Sequence, residues 1–310
     1  MNMPRTIAEY LEQLRAALRG ADPALIQDAL YDAEEHLRSE LAENPQRSEA
    51  DMLAHVVGTY GAPDEVADIY RDQEIKIQRA LRPPPAPKRR SIFGRFFGVA
   101  ADSRTWGAMF YMVLALATGI FYFVWAVTGV SLSMGLSVLI IGIPFIVLFL
   151  GTVRALSLLE GRIVETMLGV RMPRRPPYPV RHGQTLWQRI GAIFTDGRTW
   201  TTLFYMVLML PLGILYFTLT VTLMAVSLAF IASPVAYLLG RYDAFGWFTN
   251  DQITINWGMG PHVPTLGDGI VLCVIGIILL FATLHLVRGL GKLHGHIAKG
   301  LLVPSVERAA

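Results

Sequence analysis

The stretch DSRTWGAMFYM (Asp102–Met112) returns later in the chain as DGRTWTTLFYM (Asp196–Met206), and the predicted architecture follows from this repetition. In a longer alignment, 102–123 and 196–217 are identical at 14 positions, and each stretch opens an apolar segment. Farther along, Leu150–Leu168 aligns with Leu284–Leu302 at 8 of 19 positions. The distance between the copies is larger for this second pair of stretches, so the second copy carries an insertion in its middle. The sequence predicts a duplicated two-helix hairpin.

Each copy is long and apolar enough to cross a bilayer twice, since about 20 apolar residues span about 30 Å of hydrocarbon. We expect spans at about 106–130, 136–153, 201–239 and 269–284, with a short turn at 129–133 in the first copy. The whole chain is 53% hydrophobic and 16% charged, with a mean hydropathy of +0.43, which is typical of a membrane protein. The predicted fold class is an all-α polytopic membrane protein with four spans and two hairpins of like orientation.

Basic residues flank one side of these spans. Six Lys and Arg lie between Arg82 and Arg104, eight between Arg154 and Arg198, and four between Arg288 and Arg308, against Arg241 on the other side. The positive-inside rule places both termini in the cytoplasm, and we expect a bacterial inner (cytoplasmic) membrane protein with the lipid bilayer as a partner. We expect no cleavable signal peptide, because the chain starts with polar amphipathic sequence. Anionic lipid head groups explain the basic charge, so direct nucleic-acid binding is not expected.

Residues 1–80 differ in character from the rest of the chain. They carry 8 Lys and Arg against 16 Asp and Glu, a net charge of −8, whereas the remainder carries +11. Capping signals at Thr6, Asp22 and Ser48, and a glycine–proline turn at Gly61–Pro63, predict about four helices. Apolar residues at helical spacing give these helices a buried face. We therefore expect a small acidic cytoplasmic helical bundle.

Three stretches of this acidic region resemble the HAAS family of small helical signalling domains: YLEQLRAAL (Tyr10–Leu18), DAEEHLRSEL (Asp32–Leu41) and YGAPDEVAD (Tyr60–Asp68). The resemblance extends over roughly 1–75. It implies signalling without enzyme chemistry, in a domain attached to membrane segments or found beside PadR-type regulators. Its acidic side chains are either a solvated face or a partner surface. The candidates for that surface are Glu34, Glu35, Asp64 and Glu65.

Two segments rich in proline and arginine separate the domains. RPPPAPKRR (Arg82–Arg90) and PRRPPYP (Pro173–Pro179) cannot continue a helix, and an amphipathic stretch suited to the membrane surface follows each. The predicted boundaries are 1–80 for the acidic domain, 81–101 and 173–195 for the linkers with interfacial helices, 102–172 for the first hairpin, and 196–304 for the second hairpin with an extracytoplasmic insertion at about 225–266.

The repeated motif supplies six candidate interface anchors: Asp102, Arg104, Trp106, Asp196, Arg198 and Trp200. Tryptophan suits the membrane–water interface, and arginine there reaches lipid head groups. Each aspartate precedes a span and is expected to cap its first turn. The alternative is a catalytic or ligand-binding Asp/Arg pair, as an enzyme acting on lipids would require.

The insertion is rich in aromatic residues. Gln252–Trp257 alternates polar and apolar residues, and the following GMGP supplies a turn, so we expect a small hairpin on the outer side. Pro234, which follows Ser233, is expected to kink the third span. The aromatic residues either cap a ligand site or rest as a belt at the lipid interface. The candidate cap residues are Tyr242, Phe245, Trp247, Phe248 and Trp257.

Chemistry-bearing motifs are missing from the sequence. The expected spans contain no Asp, Glu, Lys, Arg or His, which argues against an ion-coupled carrier. No phosphate-binding loop, nucleophile motif or zinc-protease motif occurs, and the single cysteine, Cys273, excludes an intramolecular disulfide. His294 and His296 are a weak candidate for a metal site, because residues two apart on a helix point to different sides. We interpret His285 and His294 as interfacial. We predict no enzyme activity, no catalytic residues, no cofactor and no metal.

The paired hairpins and the closing LVRGLGKLHGHIAKGLLVPS (Leu286–Ser305) resemble the sensor domain found in front of many actinobacterial histidine kinases, over about 95–305. With no kinase module after it, we expect output through the acidic domain or another protein. The predicted function is a non-enzymatic membrane sensor or regulatory protein that couples a membrane or extracytoplasmic signal to a cytosolic or membrane partner. Such a partner would be a histidine kinase, a PadR-type regulator or an ABC transporter component, and a homo-oligomer stays open. The alternative is a membrane subunit of a transport or assembly complex.

Overall fold

The computed structural model of the chain describes residues 3–81, 91–139, 142–175, 196–241, 255–256, 261–263 and 265–303. Within these residues the chain forms nine α-helices, one 3-10 helix and one pair of short strands. The contacts group it into two compact units. One contains Met1–Pro85, Tyr122–Leu208 and His294–Ala310, and the other contains Ala86–Phe121 and Met209–Leu293.

The N-terminal domain is a bundle of four helices: α1 (Ile7–Ala17), α2 (Pro23–Glu43), α3 (Glu49–Thr59) and α4 (Pro63–Leu81). The predicted caps are present, since the side chains of Thr6, Asp22 and Ser48 accept hydrogen bonds from backbone N–H groups in the first turn of α1, α2 and α3. Gly20 and Gly61 have φ angles of 85° and 112°, a region that favours glycine and ends α1 and α3.

The core of this domain joins all four helices. Leu14, Leu37 and Leu53 are completely buried, and so is Tyr10, whose hydroxyl donates to the carbonyl of Gly61 at 2.9 Å. Burial raises the pKa of Tyr10, so the phenol keeps its proton. The bundle therefore has its own hydrophobic core, as the apolar spacing predicted.

Four long helices carry the rest of the fold: α6 (Ser103–Leu136), α7 (Gly142–Leu168), α8 (Gly197–Arg241) and α9 (Leu266–Leu302). Each contains an 18-residue window of mean hydropathy 2.0 to 2.9 and is long enough to cross a membrane. A short amphipathic helix, α5 (Ile92–Phe97), and a 3-10 helix (Gly98–Ala101) precede α6. The predicted all-α membrane fold with four spans is confirmed.

The expected turn at 129–133 is wrong, because α6 continues through it to Leu136. No proline interrupts this stretch, and Gly129 lies so close to the ring of Phe149 that an added Cβ would sit 1.9 Å from a ring atom. The chain instead leaves α6 after Leu136. Both α7 and α9 also run well past their expected ends, so these helices contain ionisable side chains.

The first helices of the two copies, α6 and α8, contact each other through a pair of equivalent glycines. A Cβ built on Gly119 would lie 2.4 Å from the carbonyl oxygen of Met209, and one built on Gly213 would lie 2.3 Å from that of Ala115. The alignment of the two copies pairs Gly119 with Gly213 and Ala115 with Met209. The repeated sequence therefore encodes a reciprocal backbone-to-backbone contact that only glycine allows.

The insertion begins as helix, because α8 continues to Arg241 with Pro211 and Pro234 inside it. Two short strands follow, β1 (Ile255–Asn256) and β2 (Pro261–His262), which pair antiparallel as the predicted hairpin. The five candidate cap residues lie outside the described residues: Tyr242, Phe245, Trp247, Phe248 and Trp257. So do residues 82–90 of the first predicted linker and 176–195 of the second.

Candidate functional site

The two aspartates of the repeated motif each do two things. The Oδ1 atoms of Asp102 and Asp196 accept from the backbone N–H two residues later, at 3.0 and 3.1 Å, which caps α6 and α8. The Oδ2 atoms face arginines of the other copy: Asp102 lies 2.8 Å from Arg288, and Asp196 lies 3.5 Å from Arg154. Arg154 and Arg288 occupy equivalent positions of the repeat. Each aspartate therefore pairs with the arginine of the other copy.

A buried polar cluster takes one side chain from each of the four long helices. Glu160 of α7 accepts from the hydroxyl of Tyr122 of α6 at 3.0 Å and from that of Tyr205 of α8 at 2.9 Å. The Tyr205 hydroxyl also lies 3.1 Å from Nε2 of His294, on α9. Because Tyr205 gives its single proton to Glu160, its oxygen accepts from His294, which requires the Nε2–H tautomer.

The interpretation of His294 as interfacial is therefore wrong, because its side chain is completely buried, and Glu160 is 1% exposed. The alignment of Leu150–Leu168 with Leu284–Leu302 makes these two positions equivalent, so duplication has left an acid in one copy and a base in the other. Sequence reasoning missed the cluster because α7 and α9 were expected to leave the membrane earlier. The alignment of the two copies contained the signal.

One buried arginine is shared between the N-terminal domain and a spanning helix. Gly169, with a φ angle of 69°, ends α7, and Arg171 follows it with 7% exposure. Its Nη2 lies 2.8 Å from Asp28 of α2, its Nε lies 3.1 Å from Glu74 of α4, and its Nη1 lies 3.4 Å from Glu165 of α7. Two carboxylates of the N-terminal domain and one of a spanning helix therefore share a single guanidinium.

Burial sets the electrostatics of this cluster. Burial raises the pKa of Asp28, although the backbone N–H groups of Arg175 and Arg174 and the charge of Arg171 oppose the shift. Burial alone would lower the pKa of Arg171, but the neighbouring Asp28 and Glu74 outweigh it, and the net shift is upward. The guanidinium therefore stays charged, and removing it would leave buried carboxylates without their counter-charge, a strongly destabilising change.

Helix α2 also holds the residues that follow Arg171. The backbone N–H groups of Arg174 and Arg175 both donate to Oδ1 of Asp28, at 2.7 and 2.8 Å. The guanidinium of Arg175 lies 2.7 Å from Asp32 and 5.6 Å from the ring centroid of Tyr31, a cation–π distance. Gln27 donates from its side chain to the carbonyl oxygen of Arg175. The domain thus contacts the segment through both side chains and backbone.

Two further contacts reach the other copy of the repeat. Nη2 of Arg198, at the start of α8, donates to the side chain of Gln27 and to the carbonyl of Leu302, both at 3.1 Å. Nζ of Lys299, near the end of α9, lies 2.5 Å from Asp22. The N-terminal domain therefore touches residues at the ends of three spanning helices, α7, α8 and α9.

The four residues predicted to form a partner surface differ in their exposure to solvent. Glu35, Asp64 and Glu65 are exposed, but Glu34 is 4% exposed and paired with Arg38 at 2.7 Å, one helical turn away. Glu34 therefore does not belong to an exposed acidic face. The carboxylates that meet basic side chains from the ends of the spanning helices are Asp28, Asp32 and Glu74, which contact arginines, and Asp22, which contacts Lys299. No local pattern marks them, because Asp28 and Arg171 are 143 residues apart in the sequence.

The predicted anchors also differ among themselves. Trp106 and Trp200 are about half exposed, and the indole N–H of Trp106 donates to the carbonyl of Ala100 at 2.8 Å. The guanidinium of Arg198 contacts Gln27 of the N-terminal domain and the carbonyl of Leu302 on α9. In α5, the ring of Phe96 stacks on that of His285, and both residues line an open groove of about 550 Å³. Among the described residues, no three His, Cys, Asp or Glu side chains are grouped to hold a metal ion.

Two family models match the chain. The HAAS model matches residues 9–68, and a model described as "Putative sensor" matches residues 111–302. Neither family is enzymatic. No curated protein and no solved structure matched in the corresponding searches. Since the second model covers more than half of the chain, this protein belongs to that sensor family and carries a HAAS domain fused to its N-terminus.

Proposed function

We propose that this protein is a non-enzymatic membrane sensor that passes a membrane or extracytoplasmic signal to a cytosolic partner through its N-terminal domain. The observation that carries the proposal is the shared guanidinium of Arg171, which Asp28 and Glu74 hold from one side and Glu165 of α7 from the other. Any shift of the end of α7 changes the distances in this cluster. The same domain contacts α8 and α9, so it is coupled to both copies of the repeat.

The buried cluster around Glu160 supports this coupling. Tyr122 and Tyr205 meet at the Glu160 carboxylate, and His294 contacts the Tyr205 hydroxyl, so the four helices share one hydrogen-bonded centre. A signal that alters the spacing of any one helix disturbs bonds to the others. Glu160 lies five residues before Glu165 on the same helix, which links this centre to the Arg171 contact. Two arrangements with different partner affinity complete the proposal.

The orientation is part of the proposal. Lys and Arg flank the ends of the spans that carry the N-terminal domain, so the positive-inside rule puts both termini in the cytoplasm of a bacterial cell. The substitutions Met3→Cys and Gly300→Cys, both at exposed positions, test this placement in a background with Cys273→Ser. Neither should react with a membrane-impermeant maleimide until the membrane is opened. Reaction of one of them in intact cells would contradict the orientation.

The signalling role is tested by crosslinking in native membranes followed by mass spectrometry. The intact chain should capture a cytosolic or membrane protein, and deletion of residues 1–80 should abolish that capture. Deletion also removes mass and charge, so Glu12→Gln, at an exposed position of α1 outside the candidate partner surface, serves as the matched control and should leave capture intact. Equal capture by the intact and the truncated chain would contradict the proposal.

A further inference from the structure

We infer that the face formed by α2 and α4 is a binding site for an arginine-rich segment of a partner protein, which Arg171–Arg175 occupies within the same chain. This inference rests on the proposed function, because it names the surface through which the N-terminal domain signals. In the docked state Gln27, Asp28 and Glu74 are buried, at 5 to 6% exposure. The segment of residues 171–175 thus covers the face on which a partner would bind.

The face recognises its occupant at two side-chain positions and along the backbone between them. Asp28 and Glu74 hold the guanidinium of Arg171, and Asp32 with Tyr31 holds that of Arg175. The two backbone N–H groups at 174 and 175 converge on Asp28, and Gln27 donates to the carbonyl at 175. Arginine offers planar, multiple donors and stacks on aromatic rings, so such a site selects arginine over lysine.

The groups that hold the segment are polar and charged side chains of α2 and α4. The hydrophobic core of the domain is built from other residues, such as Tyr10, Leu14 and Leu53. Release of the segment would therefore expose charged groups to water and leave the core closed. An apolar interface in this position would instead expose hydrophobic surface when the segment leaves, which promotes aggregation. When one basic segment replaces another, the buried carboxylates keep a counter-charge, which suits a surface that exchanges occupants.

Charge selects the class of occupant. Residues 1–80 carry a net charge of −8, and the segment that now sits on them has arginine at three of five positions. A tethered segment has an effective concentration on the order of 1 mM, so it excludes a free competitor of micromolar affinity until it is displaced. Glu165 shares Arg171 with the domain, and movement of α7 would therefore weaken the tethered occupant and admit the partner.

The test uses the full chain in zwitterionic nanodiscs and a fluorescent peptide with the sequence of residues 169–177, GVRMPRRPP. In the doubly substituted chain Arg171→Gln/Arg175→Gln the face is vacated, and we expect peptide affinity at least ten-fold higher than for the wild-type chain. The single variant Arg175→Gln, at a half-exposed position, keeps the Arg171 contact and should give an intermediate increase. Adding Asp28→Asn to the double variant should abolish the gain, whereas adding Glu12→Gln, at an exposed position of α1, should preserve it.

Peptide sequence provides the remaining control. A peptide with the three arginines replaced by lysine, and one of the same composition in scrambled order, should each bind the double variant at least ten-fold more weakly. Equal binding of all three peptides, or no gain for either vacated variant, would overturn the inference. Lost peptide binding with capture that still depends on residues 1–80 leaves the proposed function standing. Specific peptide binding by the double variant, combined with capture that does not depend on residues 1–80, would support the binding site and contradict the proposed function.

Discussion

Gly119→Ala should destabilise the membrane-spanning part of the protein, although alanine is the better helix former. An added Cβ would lie 2.4 Å from the carbonyl oxygen of Met209, whereas ordinary contacts begin near 3.4 Å, so α6 and α8 must separate locally by about 1 Å. Overpacking of this kind costs typically about 1–3 kcal/mol, since every neighbouring contact across the crossing loosens as well. Gly213→Ala should cost a similar amount, because its Cβ would lie 2.3 Å from the carbonyl of Ala115.

The matched control is Gly151→Ala in α7, where nothing lies within 4 Å of the added Cβ. There the same substitution should stabilise the protein by about 0.5–1 kcal/mol through helix propensity alone. Titration with sodium dodecyl sulfate in mixed micelles, followed by circular dichroism, measures the sign at each position. The double variant Gly119→Ala/Gly213→Ala should cost less than the two single changes together, because one separation relieves both clashes. Equal stability of Gly119→Ala and Gly151→Ala would refute the reciprocal crossing.

Three further predictions concern the polar clusters. Arg171→Met should release the N-terminal domain, since removing one partner of a buried ion pair costs about 3–5 kcal/mol. Limited tryptic cleavage after Arg174, whose backbone N–H is held by Asp28, should then become at least ten-fold faster, and unchanged cleavage would contradict the contact. Tyr205→Phe, which removes a donor to buried Glu160, should cost about 1–3 kcal/mol in the same detergent titration, and a cost near zero would show that the bond is absent. Burial raises the folded pKa of Asp28 above its unfolded value, so the stability from this group is fully present at low pH and is lost as the pH rises through the folded pKa. The stability of wild type relative to Asp28→Asn should therefore fall as the pH increases from about 4, and a constant or rising difference would contradict the shift.

Local signals made the N-terminal domain and the duplicated hairpins predictable. Thr6, Asp22 and Ser48 act within a few residues of their own position, so the sequence alone indicated where α1, α2 and α3 begin. The duplication was visible in the motif shared by Asp102–Met112 and Asp196–Met206. The turn at 129–133 was misplaced because glycine and serine break a helix weakly when it is packed, and Gly129 is held against Phe149, a contact that no local pattern reveals.

The contacts of the candidate site depend on residues far apart in the chain. Nothing around Asp28 distinguishes it from the exposed acids of the same helix, and only Arg171, 143 residues later, makes it a buried group. A basic segment beside a strongly acidic domain was the available signal, but it does not choose among the many acidic side chains of that domain. Glu160 and His294 were within reach of sequence reasoning, since the aligned copies place an ionisable residue at the same position in both.

A zero-length crosslink can detect the docking of the N-terminal domain on the spanning helices. Nζ of Lys299 lies 2.5 Å from the carboxylate of Asp22, 277 residues away in the sequence, and both side chains are partly exposed to a carbodiimide. In native membranes the reagent should join the peptides that contain these two residues, and Arg171→Gln should lower the yield several-fold. Absence of the Asp22–Lys299 product in the wild-type chain, with other surface carboxylates modified, would contradict the docked arrangement.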